Sequence, residues 1–289
     1  MKTVLHVLSM AFSGSTLLDA LLDSQPRVSS LGEVAQLWEE KPPGIRRGPC
    51  HVCGLPAEQC AFWKDRADEN PYDYAFTKTG ADFLADTSKS PQRLTPVPSR
   101  YRVKPIAIFK TPHEWACSVR AHERMRGGSI STVAECFFHW ENLAGEILHH
   151  IRESGAFLIH YRALAGCPEK VLAGLCVFAG IQFDPSPIRA LSFWTRKSHA
   201  LGGNSAVIDQ ECDRQTEMDL PRETWLAGKY LPAERWRKIH YDDSWKADSE
   251  LRAECARCYL EATPRLRSFS NRLGLGSAEQ LAAQVAILT

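Results

Sequence analysis

Val4-Leu-His-Val-Leu-Ser-Met-Ala-Phe-Ser-Gly-Ser-Thr-Leu-Leu18 opens the chain and decides its fold class. Residues 3–9 are an apolar run suited to a buried central strand. Ser13-Gly14-Ser15-Thr16 is a small polar turn. Leu17, Leu18, Leu21 and Leu22 then open a helix expected over 15–24 and ended by Pro26. A strand, a glycine turn and a helix start make an anion-binding site. The first helical N–H groups have no partner within the helix, and the macrodipole adds partial positive charge there. A phosphate or sulfate group is the expected occupant.

The turn departs from the nucleoside-triphosphate motif G-x-x-x-x-G-K-[ST]. Ser9 takes the first glycine position and Ser15 the lysine position, while Gly14 and Thr16 fit. Without the lysine that reaches a γ-phosphate, the turn keeps anion donors but loses the signature of a nucleotide kinase.

Working outward, residues 80–86, 103–110 and 156–161 read as further strands, with helices over 113–126, 131–152 and 168–179. The last stops at Gly180, and 33–39 reads as a short helix. The 131–152 segment has the clearest helical period. Val133, Cys136, Phe137, Trp140, Leu143, Ala144, Ile147, Leu148 and Ile151 recur at three and four spacings, which marks a core stripe. Strands separated by helices imply a parallel sheet with right-handed crossovers. Ligands of such sheets bind at the carboxyl ends of the strands. The fold class is therefore α/β, a single domain over 1–289 with a central parallel sheet flanked by helices. Residues 40–75 read as a cysteine-containing insertion. Residues 210–289 read as a helical C-terminal part of the same domain, with helices over 222–238 and 248–268.

Composition narrows the partners. The formal net charge of +1 provides no broad basic field for nucleic acid or anionic membrane. A site for a highly anionic ligand must be built from local groups. No apolar run reaches the roughly 18 residues of a membrane span. The run after Met1 reads as the first strand and not as a signal peptide. The ten cysteines are then expected to be mostly free, buried thiols in a reducing, cytoplasmic setting.

Five ordered segments carry a resemblance over roughly residues 3–210. Phe12-Ser-Gly-Ser-Thr-Leu-Leu18, Leu22-Asp-Ser-Gln-Pro26 and Leu31-Gly-Glu33 together resemble the 5′-phosphosulfate loop of sulfotransferases that use 3′-phosphoadenosine 5′-phosphosulfate. Asp86-Thr-Ser-Lys-Ser-Pro91, Ile108-Phe-Lys-Thr-Pro112 with Ser118, Tyr161-Arg-Ala-Leu164 with Leu175-Cys-Val-Phe-Ala-Gly-Ile181, and His199-Ala-Leu-Gly-Gly-Asn204 resemble later elements of that family. The resemblance implies a P-loop-like α/β fold, metal-independent in-line sulfuryl transfer, and a small-molecule, lipid or carbohydrate acceptor. It leaves the oligomeric state open. The alternative in a different class is a non-catalytic nucleotide-binding scaffold of the same fold.

By this resemblance Ser13, Gly14, Ser15, Thr16 and Leu17 hold the 5′-phosphosulfate. Lys110 and Ser118 take the 3′-phosphate, with lysine standing where the family has arginine, and Tyr161 contacts adenine. Phe12 replaces the family's cation before the Ser-Gly, so Lys89 is expected to stabilise the leaving phosphate. Glu33 is expected to be the general base, with His113 and His199 as alternatives. Such a base near neutral pH asks for a raised pKa.

Cys50-x-x-Cys53-x₆-Cys60 has the spacing of one edge of a tetrahedral zinc site but lacks its second pair. A disulfide or a compact loop is the favoured reading there, with zinc the lesser one and no metal expected. Some bacterial-type relatives carry a similar cysteine segment, echoed by Cys60-Ala-Phe-Trp63.

Overall fold

The computed structural model describes residues 1–37, 50–152, 154–190, 198–202 and 248–287. Its strands are β1 (Thr3–Ser9), β2 (Val28–Gly32), β3 (Phe83–Lys89), β4 (Arg102–Phe109) and β5 (Phe157–His160). All pair in parallel, in the order β2-β3-β1-β4-β5. The expected α/β fold with a central parallel sheet is thus the observed one.

Alternation along the strands feeds two faces, as the two-residue period requires. Leu5 and Val7 of β1, Ile106 and Ile108 of β4 and Ile159 of β5 face one layer. That layer comprises α1 (Ser15–Asp23), α5 (Tyr161–Gly166), α6 (Pro168–Ala179) and α7 (Ser186–Arg189). Leu8, Ala107 and Phe109 face the opposite side. There α3 (Pro112–Arg126) and α4 (Val133–His150) pack with α8 (Ser249–Leu260), α9 (Pro264–Arg272) and α10 (Ala278–Ile287). On the same side as these, over β2 and β3, a third cluster gathers Val4, Leu31 and Leu84 with Tyr72 and Phe76 of α2 (Pro71–Thr79). Cys50, Cys60 and Trp63 join that cluster.

Strand β2 does not follow from an apolar pattern, because Val28-Ser-Ser-Leu-Gly32 is half polar. Its serines are satisfied from elsewhere. Ser30 N–H donates to Asp23 Oδ1 at 3.0 Å and Ser30 Oγ to Asp19, both on α1. Ser29 Oγ meets Ser198 Oγ at 2.9 Å. Two buried acids on the first helix thereby satisfy the polar groups of this buried edge strand.

Other boundaries shift for local reasons. The expected 248–268 helix is two, α8 and α9. Pro264 has no N–H to continue a helix, and Thr263 caps the second one by accepting from Leu266 N–H at 3.0 Å. The expected short helix at 33–39 is a 3₁₀ turn over Val34–Leu37. Helix α2 occupies the end of the presumed insertion. Thr111 with Glu114 and Thr132 with Glu135 form capping boxes that start α3 and α4. The expected 222–238 helix, Cys212 and residues 40–49 lie outside the described residues. No described helix is long and apolar enough to cross a membrane.

Leu21 is fully buried in the layer between α1 and the sheet. Leu21→Ala is expected to cost about 2–5 kcal/mol, read as a lower urea midpoint with unchanged slope.

Candidate functional site

Strand order locates the crevice. The chain leaves β1 toward β2 on one side and leaves β4 toward β5 on the other. Neighbouring strands whose connections diverge open a crevice at their carboxyl ends. Every expected site segment reaches this edge. The Ser13–Leu17 turn follows β1, Lys89 ends β3, Lys110 follows β4, and Tyr161 follows β5.

The turn after β1 is held in an unusual shape. Phe12 and Gly14 both have positive φ, +65° and +92°. Ser13 N–H donates to Met10 O at 3.2 Å, and Trp115 Nε1 donates to Ala11 O at 2.8 Å. Gly14 caps α1 without any side-chain acceptor for the first N–H groups. Ser13 Oγ is buried and has no hydrogen-bond partner among the described residues, and the same holds for Ser9 Oγ. A buried hydroxyl without a partner costs free energy, and an anion seated on the helix start relieves that cost.

Tyr161 closes the turn from the β5 side. It opens α5 instead of ending the strand as expected. A β-carbon on Gly14 would sink into the Tyr161 ring, so glycine is required there by contact as well as by φ. Lys110 Nζ stands 4.4 Å from the centroid of the same ring. It also donates to Ser118 Oγ at 2.9 Å, eight residues on. Trp140 Nε1 fixes the Lys110 carbonyl at 3.0 Å. The structure therefore brings Gly14, Lys110, Ser118 and Tyr161 together.

Glu33 and Lys89 meet directly. Their side chains form an ion pair, joined by Arg93 Nη1 at 3.4 Å from Glu33 Oε2. Gln36 Nε2 donates to Glu33 Oε2 at 3.2 Å. Burial pushes the Glu33 carboxyl up, but the Lys89 and Arg93 charges outweigh it and leave its pKa lowered. The raised pKa expected of this base is not what the site produces. Lys89 is placed by its backbone, which takes φ +73° beside Leu8 of β1. Buried Asp86 braces the turn. It accepts from Tyr72 Oη at 2.7 Å and from Ser88 N–H at 2.9 Å, while Ser88 Oγ accepts from Ala35 N–H at 3.0 Å. The strand carrying Lys89 is thereby tied to the segment carrying Glu33.

The two alternative bases are elsewhere. His113 is buried under α8, with Nδ1 2.8 Å from Tyr259 Oη. Burial brings it down to about 4, against an opposing pull from Glu114. The His199 ring faces Cys50 and Cys60 and stacks on Phe62 at 5.5 Å. Arg93 and His122 were missed. Arg93 reaches Glu33 across sixty residues of chain and also donates to Ser88 O at 3.3 Å. The His122 ring lies 4.7 Å from Phe12, beside the position where the resemblance lacks a cation. Neither has a local motif to announce it.

No family model and no curated protein matches this chain. Similar solved structures include the sulfotransferase domain from the curacin biosynthetic pathway, at 14% identity and TM-score 0.49, covering 95% of this chain and 98% of that one. The sulfotransferase domain of the Synechococcus PCC 7002 olefin synthase is 16% identical with TM-score 0.42, covering 99% and 93%. Mouse sulfotransferase SULT7A1 complexed with PAP is 14% identical with TM-score 0.44, covering 93% and 88%.

His113 gives a pH signature. Between about pH 6.5 and 4 the unfolded imidazole takes a proton and the folded one does not, so stability falls as pH falls through that window. His113→Gln is expected to remove on the order of 2 kcal/mol of the stability loss between pH 7 and pH 4.5. Urea unfolding at the two pH values reads it, and identical losses in wild type and variant would contradict the assignment.

Proposed function

We propose that this chain is a sulfotransferase, transferring a sulfuryl group from 3′-phosphoadenosine 5′-phosphosulfate to a hydroxyl or amine of a small-molecule, lipid or carbohydrate acceptor. One observation carries the reading. Across the crevice between β1 and β4, a helix-start anion turn and a Lys110–Ser118 pair flank one aromatic ring. That arrangement suits a ligand with an anionic group at each end of a nucleoside.

The residues present fit such a donor. The unpartnered Ser13 Oγ and the open helix start at Gly14 supply hydrogen bonds to the phosphosulfate end. Ser15, Thr16 and Leu17 extend the same set of backbone donors. Lys110 contributes a point charge to the 3′-phosphate and Ser118 a hydroxyl, where arginine would grip with two hydrogen bonds. Tyr161 offers a ring against which adenine stacks.

When bound, the donor supplies an activated sulfuryl group on a phosphate leaving group. Transfer asks the protein for alignment and for donors on the developing charge. Lys89, at the end of β3 beside the turn, is the cation for the leaving phosphate. Glu33, ionised across the neutral range by Lys89 and Arg93, accepts the acceptor's proton. Its low basicity limits the driving force for that transfer, so proton removal runs late, as the acceptor oxygen bonds to sulfur. His122 beside Phe12 is a further cation at the phosphosulfate end when protonated.

A second reading, a non-catalytic nucleotide-binding scaffold, is favoured by one observation. Lys89 is already engaged by Glu33, so the two proposed catalytic charges satisfy each other without a ligand. Binding and turnover separate the readings. 3′-Phosphoadenosine 5′-phosphate is expected to raise the melting temperature where ATP does not. Lys110→Ala is expected to weaken binding of 3′-phosphoadenosine 5′-phosphate by about 1–3 kcal/mol, the range of a charged hydrogen bond. Stabilisation by ATP alone would sink the sulfotransferase reading.

With radiolabelled donor and an acceptor panel, Glu33→Gln is expected to lower turnover by about 10²–10⁴-fold, with donor binding retained. Wild type that binds 3′-phosphoadenosine 5′-phosphate but transfers label to no acceptor would leave the scaffold reading standing.

A further inference from the structure

Cys50, Cys53, Cys60 and His199 converge on one point. Their donor atoms all lie within 4.8 Å of one another. His199 Nδ1 is 3.3 Å from Cys50 Sγ and 3.3 Å from Cys60 Sγ. The first three come from the 50–60 segment, and the fourth arrives 139 residues after Cys60. The zinc pattern incomplete in the local sequence is thus completed by tertiary structure. We propose that these four residues hold a structural zinc ion, independent of the donor site.

The geometry fits that ion. Tetrahedral zinc with Zn–S bonds of about 2.3 Å and Zn–N bonds of about 2.0–2.1 Å holds its sulfur and nitrogen ligands about 3.5 Å apart. Three thiols and an imidazole are the ligand set of closed structural zinc sites, with no position left for water. A disulfide explains less. It uses two sulfurs and gives no role to an imidazole aimed at both Cys50 and Cys60, and every described cysteine is a free thiol.

Backbone donors face two of the sulfurs. Backbone N–H groups of Val52 and Cys53 turn toward Cys50 Sγ, and those of Phe62 and Trp63 toward Cys60 Sγ. Such N–H groups stabilise negative sulfur and are the outer shell that orients ligands. Gly54 follows Cys53 at φ +64°, and its N–H closes onto Cys50 O at 2.9 Å, shaping a tight ligand-bearing turn. His199 is held on three sides. Its ring lies parallel to Phe62, with a 7° interplanar angle. Its carbonyl accepts from Trp63 Nε1 at 2.6 Å. The next residue, Ala200, accepts from His51 N–H at 2.8 Å.

The ion would act as a clasp between two distant pieces of chain. Leu201, two residues past His199, bridges both Gly32 and Cys50. Leu201 N–H donates to Leu31 O at 2.9 Å, and Glu33 N–H donates to Leu201 O at 2.7 Å. Gly32 allows this approach, since a β-carbon there would overlap the Leu201 backbone. Zinc at the cluster thereby anchors the strand-like 198–202 segment against the end of β2, directly beside Glu33.

Metal analysis of the untagged, full-length protein by plasma mass spectrometry is the test, under reducing conditions. About one zinc per chain is expected, falling to near zero in Cys60→Ser and His199→Ala, while Cys167→Ser, at an exposed thiol outside the cluster, keeps its metal. Wild type is also read alone, so that an unfolded variant decides nothing. Chelation with 1,10-phenanthroline is expected to lower its melting temperature and added zinc to restore it. Cobalt(II) exchanged into wild type is expected to show thiolate charge-transfer absorption with intense tetrahedral bands. Metal-free wild type that neither binds zinc nor changes its melting temperature with it would overturn the proposal. So would an intact mass two hydrogens short, with the missing pair mapped to two of these cysteines. None of these readouts depends on sulfuryl transfer.

Discussion

Parallel pairing of β1 on both of its edges is the constraint from which the rest follows. With β3 on one side and β4 on the other, the chain must leave all three strands at the same edge of the sheet. The turn at Ser13, the ammonium of Lys89 and the ammonium of Lys110 are neighbours for that reason, although about a hundred residues of sequence separate the first from the last. The register is specific enough to matter. Lys89 lies opposite Leu8, and Ile108 lies opposite Ser9, so each charge leaves its strand within a residue or two of the end of β1.

The parts legible in sequence are those whose signal is local. The apolar run of β1, the Ser13-Gly14-Ser15-Thr16 turn, the stripe of α4 and the Gly180 stop of α6 each sit inside a short window, and each falls where expected. What was illegible depends on partners remote in sequence. Strand β2 is polar by composition and is rescued by Asp19 and Asp23 of α1. The low basicity of Glu33 comes from Lys89 and Arg93, 56 and 60 residues away. His199 reads as a lone histidine until folding carries it to three cysteines. In each case the missing information is a pairing, and no window of one chain segment contains it.

Two regions of the molecule divide the electrostatic labour. Around the β1 turn, neutral donors dominate, namely backbone N–H groups and Ser13, with the apolar Phe12 beside them. Around Glu33, full charges compensate one another in a half-buried triad with Lys89 and Arg93. Buried charges are tolerable only when paired. Any ligand that draws Lys89 toward itself therefore alters the environment of Glu33 in the same motion. Burial then acts on a less compensated carboxylate and raises its affinity for a proton.

The backbone of Lys89 carries a cost of its own. At φ +73° it occupies the left-handed region, where a residue with a β-carbon is about 1–2 kcal/mol worse off than in its preferred conformations. Glycine or asparagine would relax that position, and either would delete the ammonium. The fold thus trades a small stability deficit for a charge at the end of β3, braced by the Asp86 and Ser88 network beneath it. Drift toward glycine at this one position in descendants of the chain would keep the architecture and lose the ammonium from this edge of the sheet.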